Sequence, residues 1–303
     1  MRQTRFKWAA ALALIMASPA VFWSCSSDDD DEKDPLTVNT NANKTGEHPE
    51  AGRLEIPKRR EGIVDMFLVK RLSNGGINFC IEWDIAKKAQ RWTAFRMVSS
   101  DLFVRDKTNN WRGGRSEAWA EDYEVQEVYR TNQNFFSGTG YTRGHMIASA
   151  DRQSSYESNA QTFLYTNMQP QLYSFNGGIW ATLEMKVRSW VKNTSDTLYV
   201  CRGGTIDKSK DILETTRTGL IVPKYFFMAI LCKNKSTVNS GYKAIGFWME
   251  HRSFYDDEKN VAPYIVSIDQ LEGLTGIDFF CNLPDHIENE VEKAVVRNAW
   301  GFQ

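Results

Sequence analysis

One histidine stands in a polar, turn-rich run where it could do chemistry. His145 lies in GYTRGHMIASADRQ, and the whole chain has four histidines. Side chains alternate between the faces of a β-strand, so a strand here places Arg143 and His145 on one face, with Gly144 leaving room for a ligand. A guanidinium binds phosphate, and an imidazole can carry a proton near neutral pH. The pair predicts a phosphate site, with a purely structural histidine as the alternative.

A later stretch, FNGGIWATLEMKVRSW, offers oxygen ligands. Its apolar residues recur at helical spacing, which predicts a helix over residues 176–190. Asn176 would cap the helix N-terminus, and Glu184 would lie a little over two turns further along the same side. An amide oxygen and a carboxylate oxygen suit Mg²⁺. The alternatives are a capping asparagine and a solvent-exposed glutamate without further roles.

The elements that must position these residues are strands with a few helices. Strand-like runs of alternating apolar and polar residues flank the Asn74-Gly75 pair, and this pattern predicts a hairpin. Ser267 and Gln270 form the pattern of a capping box that opens a short helix, and residues 285–296 predict another. The expected fold class is α+β: a mixed, mainly antiparallel sheet core with packed helices.

The N-terminus predicts export. Residues 1–24 have a basic start and an apolar run typical of a signal peptide. Cys25 follows a small residue, so the segment resembles a bacterial lipoprotein signal, with a plain signal peptide as the alternative. Residues 25–55 are acidic and poor in apolar side chains, which predicts a disordered tether, and residues 56–303 form the folded domain. Acidic residues behind such a cysteine resemble an export tag, so we expect a lipid anchor in the outer membrane, with display at the cell surface; the alternative for the acidic run is a solvated linker.

Composition and charge describe an ordinary globular protein. The 303 residues are 42% hydrophobic and carry a net charge of −1, so bulk charge does not indicate a non-specific DNA coat protein. Phosphate affinity must come from local groups, for which Arg112 and Arg115 are candidates.

Cysteine spacing leaves the redox state open. In an exported chain, disulfides and free buried thiols are both expected for the four remaining cysteines. Without a CxxC pair, a structural zinc site is disfavoured. These four are Cys80, Cys201, Cys232 and Cys281.

Three ordered blocks together resemble one family. The Arg143-Gly144-His145 tripeptide, TNMQPQ at residues 166–171 and FNGGIWATLE at residues 175–184 are similar to the signature of the DNA/RNA non-specific endonucleases. These are ββα-metal nucleases, and endonuclease G is one of them. The resemblance extends through LIVPKYFFMAIL and LTGIDFF, over about residues 66–287.

The resemblance implies a role for each matching residue. His145 corresponds to the general base, and Asn176 to the protein ligand of one Mg²⁺, with Mn²⁺ as an alternative ion. Glu184 corresponds to a carboxylate that holds a water on the metal, and Arg143 to a phosphate contact. Asn167 and Gln171 match positions that support the motif. Thr142 stands where the family usually has aspartate.

The implied activity is hydrolysis of phosphodiester bonds in both DNA and RNA. In the family the contacts go to the backbone and the products carry 5′-phosphates. Two alternatives stay open: a binding module that has kept a nuclease fold without activity, and a phosphodiesterase that acts on another substrate.

Overall fold

The computed structural model describes residues 37–60, 65–192, 194–233, 241–255 and 258–303. Within these ranges the helices are α1 Gln133–Phe136, α2 Tyr156–Ala160, α3 Ala181–Val191, α4 Ile268–Thr275 and α5 Asp285–Lys293. The strands are β1 Asp65–Arg71, β2 Ile77–Asp84, β3 Ala89–Met97, β4 Thr142–His145, β5 Met168–Gln171, β6 Thr197–Gly204, β7 Ile212–Thr215, β8 Ile221–Pro223, β9 Tyr225–Lys233, β10 Tyr242–Glu250 and β11 Ile265–Val266.

Seven strands form one antiparallel sheet in the order β1-β2-β3-β6-β9-β10-β11. The turn at Asn74 and Gly75 joins β1 to β2, and Gly75 has a φ of 82°, a conformation that glycine adopts without strain. Two smaller ribbons, β4-β5 and β7-β8, lie outside the sheet. The predicted α+β class with a mainly antiparallel sheet is confirmed.

Both faces of the sheet are covered, and the central strand β9 shows why its sequence is apolar throughout. Phe226, Met228 and Ile230 point into one core cluster, which also contains Leu183 and Val187 of α3; we call this side the α3 face. Alternate residues of a strand point to opposite faces, so the neighbouring side chains serve a second core.

The opposite side is the α4–α5 face. Its core contains Phe227 and Leu231 of β9 together with Leu271 of α4 and Val291 of α5. Ser267 caps α4 as the capping-box pattern predicted: its hydroxyl accepts the amide of Gln270, whose side chain accepts the amide of Ser267.

The N-terminal segment corrects one expectation. Within the predicted disordered tether, residues 37–55 lie against the domain. Asn43 is 8% exposed and donates to the carbonyls of Ala51 and Pro57, at 3.1 and 2.9 Å. Ala51 is fully buried, and Asn282 donates to its carbonyl at 2.8 Å. Asparagine amides thus satisfy backbone groups that would otherwise be buried without partners, which composition alone does not reveal.

The four cysteines Cys80, Cys201, Cys232 and Cys281 are free and buried. Burial raises the pKa of the Cys80 thiol to about 12. Such thiols behave as small apolar side chains within the core.

The predicted signal peptide and the predicted lipidation site at Cys25 lie outside the described residues. Among the described helices, none has the length and apolarity needed to cross a bilayer.

Candidate active site

The β4–β5 ribbon holds the Arg-Gly-His segment. The antiparallel register sets His145 opposite Met168. A Cβ on Gly144 would lie 2.2 Å from the side chain of Gln171, so glycine is required where the two strands meet. Gln171 packs under the segment, and its carbonyl accepts the hydroxyl of Thr142 at 2.9 Å.

Asn167 braces the chain that follows the histidine. Its side chain is fully buried; Oδ1 accepts the amide of Ile147 at 2.9 Å, and Nδ2 donates to the carbonyls of Ile147 and Thr162 at 3.0 and 2.8 Å. Every polar atom of the amide is therefore used to fix backbone, and the end of β4 is held in place.

The imidazole of His145 lies between two aromatic edges. Its ring centroid is 5.6 Å from that of Trp119 and 5.1 Å from that of Phe163. Nε2 is buried and has no hydrogen-bond partner among the described residues, while the ring bonds to the backbone of Arg143. Because Nε2 is unpaired, that bond is made by Nδ1, and the Nε2 lone pair stays free to accept a proton.

Burial keeps this imidazole neutral. Burial first, and the positive charge of Arg115 second, lower the pKa of His145 to about 3. Its bond to the Arg143 backbone and the carboxylate of Glu117 oppose that shift. The ring therefore presents an unprotonated Nε2 over a wide pH range.

The residue predicted to bind metal sits on an irregular turn and not at a helix cap. Residues Phe175–Trp180 form a wide π-type turn before α3, and Gly178 breaks the helical backbone with φ −101° and ψ −107°. The predicted capping role of Asn176 is therefore wrong: its Nδ2 donates to the Thr142 hydroxyl at 3.0 Å, outside the helix. Turns of this type occur often at functional sites.

One cleft of about 340 Å³ gathers most of the predicted residues. His145 and Arg143 reach it from β4, Asn176 from the wide turn, Glu184 from α3 and Arg115 from the preceding loop. Arg112 does not line this cleft; its guanidinium donates to the Trp111 carbonyl at 3.1 Å. Asn167 and Gln171 support the ribbon and do not line the cleft either.

The cleft arginines are held by aromatic and polar neighbours. The guanidinium carbon of Arg143 lies 3.7 Å from the ring centroid of Trp119, and Nη1 donates to Gln133 Oε1 at 2.7 Å. Arg115 pairs with Glu117 at 2.7 Å, and the indole of Trp119 donates to the same carboxylate at 2.7 Å. Trp119 thus connects both arginines and the histidine, a position that the sequence analysis missed.

A buried charge network, also missed, lies behind Glu184. Arg202 and Asp151 are both fully buried; Nη1 of Arg202 lies 3.0 Å from Asp151 Oδ2 and 3.5 Å from Glu184 Oε1. Arg188, one turn after Glu184, contacts Asp151 Oδ1 at 2.7 Å. The sequence does indicate such a network, because an arginine inside the apolar strand LYVCRGG needs a buried carboxylate as its partner.

Glu184 is a weaker acid than an exposed glutamate. Burial raises its pKa to about 7, while Arg202 acts in the opposite direction. A cation entering the cleft would favour the ionised carboxylate, since a nearby positive charge lowers a carboxyl pKa.

The donor set fits a small divalent cation. Because Nδ2 of Asn176 is occupied by Thr142, the amide presents its oxygen as the remaining donor, with the carboxylate of Glu184 on the same cleft. Thr142 thus orients the amide of Asn176, although the family usually has aspartate at this position. One amide oxygen with one carboxylate suits Mg²⁺ or Mn²⁺ that keeps several waters.

Comparison with known proteins places these residues in a family context. A sequence model described as DNA/RNA non-specific endonuclease matches residues 73–286, which contain all the cleft residues. The chain is 28% identical over 237 residues to a nuclease of Nostoc sp., covering 72% of this chain and 76% of that protein.

More distant relatives are mitochondrial. The chain is 26% identical to the nuclease EXOG of Xenopus laevis, covering 68% of this chain and 58% of the relative, and 27% identical to endonuclease G of Bos taurus, covering 56% and 58%. The crystal structure of the EndoG/EndoGI complex matches with a TM-score of 0.58 at 20% identity, over 73% of this chain and 89% of that one. This likeness shows the shared fold.

Proposed function

Because the chain belongs to the DNA/RNA non-specific endonuclease family, we propose that it is a metal-dependent endonuclease that hydrolyses phosphodiester bonds of DNA and RNA. The observation that carries the proposal is that His145, whose Nε2 is unpaired in the described residues, lines the same cleft as Asn176. A proton acceptor and an oxygen ligand for a cation are the two groups that such a hydrolysis needs.

The residues of the chain divide the work. Nε2 of His145 accepts a proton from water as the water oxygen bonds to phosphorus, and the bond from phosphorus to the 3′-oxygen breaks, leaving a 5′-phosphate. Arg143 supplies charge-assisted hydrogen bonds to phosphate oxygens. Mg²⁺ or Mn²⁺ held by Asn176 and supported by Glu184 would neutralise charge on the phosphate and stabilise the leaving oxygen.

Contacts to the backbone support action on both kinds of nucleic acid. The cleft groups Arg115, Arg143 and Asn176 recognise charge and oxygen, which DNA and RNA share, and bear no base-reading pattern. Binding should weaken as salt concentration rises.

A degradation assay tests the proposal. Supercoiled plasmid and a long RNA are incubated with the protein, with Mg²⁺ or with EDTA, and resolved on a gel. We expect both substrates to be cut internally with Mg²⁺ and to survive with EDTA. Intact substrates under both conditions, with a folded protein, would support the inactive binding module, and cleavage of only a small phosphodiester would support the other alternative.

We propose separately that Cys25 is acylated and anchors the protein in the outer membrane, with residues 1–24 removed; residues 56–303 then form the nuclease domain. The support is the order of basic, apolar and small residues before Cys25. Wild type should partition into the detergent phase and carry acyl mass on Cys25, and Cys25→Ala should not. Equal membrane fractions for both proteins would contradict this anchor.

A further inference from the structure

Three carboxylates converge between α4 and α5, on the face of the sheet opposite the cleft. Asp269 and Glu272 lie on α4, and Glu292 lies near the end of α5. One carboxylate oxygen from each residue lies within 4.8 Å of the others. Three like charges so close repel one another strongly unless protons or a cation neutralise them.

Glu292 distinguishes this cluster from an ordinary acidic surface. Its side chain is only 5% exposed, and its Oε1 is buried without a hydrogen-bond partner in the described part of the chain. The flanking residues Leu271 and Val291 belong to the apolar core of this face. A buried carboxylate oxygen without a partner is costly, so its position requires another group to complete it.

No basic side chain in the described ranges forms an ion pair with these three residues. Glu272 Oε1 accepts the amide of Phe279 at 2.7 Å. The nearby Lys58 uses its ammonium group on the carbonyls of Asn41 and Ala42, at 2.6 and 2.8 Å. The described part of the chain therefore supplies three carboxylates to this cluster and no basic side chain paired with them.

We propose that Asp269, Glu272 and Glu292 bind a Ca²⁺ ion that fastens α5 to α4. Two oxygens on opposite sides of a Ca²⁺ ion lie about 4.8 Å apart, since each bond is about 2.4 Å, so the separations require little movement. Ca²⁺ accepts irregular sets of carboxylate oxygens, whereas Mg²⁺ holds its waters tightly and the buried position of Glu292 leaves little room for them.

The ion also strengthens the attachment of the N-terminal segment. Glu288, one turn before Glu292 on α5, accepts Nδ2 of Asn41 at 2.8 Å, and the same amide lies 3.3 Å from Asp278. A cation that fixes α5 therefore stabilises the surface on which Asn41 rests. The role is structural and independent of the proposed nuclease chemistry on the other face.

Thermal unfolding of the full chain in detergent, stripped of metal, tests the site. In the Asn176→Ala background, which removes the proposed Mg²⁺ ligand of the cleft, we expect CaCl₂ at ten times the Kd to raise the Tm by about 3–6 °C, and MgCl₂ at that concentration to raise it far less. Glu292→Gln should lose the Ca²⁺ response. Glu290→Gln, which changes an exposed carboxylate of the same helix, should keep it.

Ion counting separates this site from the active site. In the Asn176→Ala background, equilibrium dialysis with Ca²⁺ should find one bound ion, and none after Glu292→Gln is added. Should Glu292→Gln fail to fold, Asp269→Asn at the exposed end of the cluster replaces it. A missing Ca²⁺ response in the Asn176→Ala background, an unchanged response in the cluster variant, or equal responses to Ca²⁺ and Mg²⁺ would overturn the proposal.

Discussion

Two groups of buried carboxylates, one on each face of the sheet, differ in whether a basic side chain neutralises them. On the α3 face, Asp151 and Glu184 are paired with Arg202, and Arg188 adds a second contact to Asp151. On the α4–α5 face, Glu292 has a buried oxygen with no partner in the described residues. The α4–α5 face also holds a paired carboxylate, Glu82 with Arg91 at 2.9 Å, but in the described ranges no such arginine reaches Glu292.

The difference separates a site arranged for chemistry from a site arranged for stability. Around the cleft, internal arginines pair with the carboxylates, and Nε2 of His145 is among the buried atoms without a partner in the described residues. In the acidic cluster the carboxylates have no paired basic side chain in the described ranges, and the proposed Ca²⁺ would supply the positive charge. A buried pair is costly to break, whereas an unpaired buried charge is relieved by neutralisation.

The largest expected effect separates the proton acceptor from the metal ligand. His145→Ala should lower kcat by about 10²–10⁴-fold and leave metal affinity nearly intact, because only the base is removed. Asn176→Ala should weaken metal affinity, so its residual activity should rise with added Mg²⁺. Mg²⁺ titrations of folded variants measure both, and identical metal dependence in the two would contradict the assignment.

Arg202→Met should reveal the cost of breaking the paired network. The substitution leaves Asp151 and Glu184 without the buried guanidinium that they share, and we expect the free energy of unfolding to fall by about 3–5 kcal/mol. Urea unfolding checks this value. The matched change Arg96→Met, on an exposed arginine of β3, should alter stability little; an equal loss in both would argue against the network.

Thr142→Val should loosen the metal ligand without touching it. The variant removes the hydroxyl that accepts Asn176 Nδ2, so the amide is free to rotate, and metal affinity should fall by about 10–100-fold. Calorimetric titration with Mg²⁺ measures the change. Thr142→Ser keeps the hydroxyl and should retain wild-type affinity; loss in Thr142→Ser together with wild-type affinity in Thr142→Val would show that the methyl group matters instead.

Neutralising one carboxylate on each face should change the stability of the metal-free protein to different extents. Burial, followed by Glu272, Glu288 and further carboxylates, raises the pKa of Glu292 to about 10. A raised carboxyl pKa costs stability progressively as pH rises above the unfolded value, so metal-free Glu292→Gln should be more stable by about 1–3 kcal/mol at pH 8, and less so at pH 5.

Glu184→Gln should gain less stability at pH 8, because burial raises the pKa of Glu184 only to about 7 and the substitution also removes a charged partner of Arg202. Urea unfolding in EDTA at the two pH values compares the variants.

The groups that face Glu292 are carboxylates from α4, α5 and the loop between them: Asp269, Glu272, Asp278 and Glu288. A Glu292→Gln protein less stable than wild type at pH 8 would contradict an unpaired carboxylate.

The smallest expected effect is a shift of the acidic limb of the pH profile. Burial and the charge of Arg115 lower the pKa of His145 to about 3. Because the imidazole then stays unprotonated, activity should persist below pH 6.5, the usual histidine pKa. Arg115→Gln removes the positive charge and should move the acidic limb of kcat/KM to higher pH. Lys107→Gln, on the same loop, is the control, and an unmoved limb would remove Arg115 from the cause.

Local pattern was sufficient for much of the fold and for the identity of the cleft residues. Asn74-Gly75 predicts its hairpin and Ser267 its helix cap, because turns and caps depend on residues adjacent in the chain. His145, Arg143, Asn176 and Glu184 could be named in advance, since their order and spacing match one family.

Contacts across distant parts of the chain could not be predicted in this way. Asn176 caps no helix because it lies inside the π-type turn that precedes α3, and its Nδ2 donates to Thr142 on another element. The pairing of Asp151 with Arg202 and the packing of Asn43 against the domain join residues far apart in sequence. Such partners are set by strand register and by how elements pack on the two faces, and these long-range contacts leave no periodic trace in the sequence.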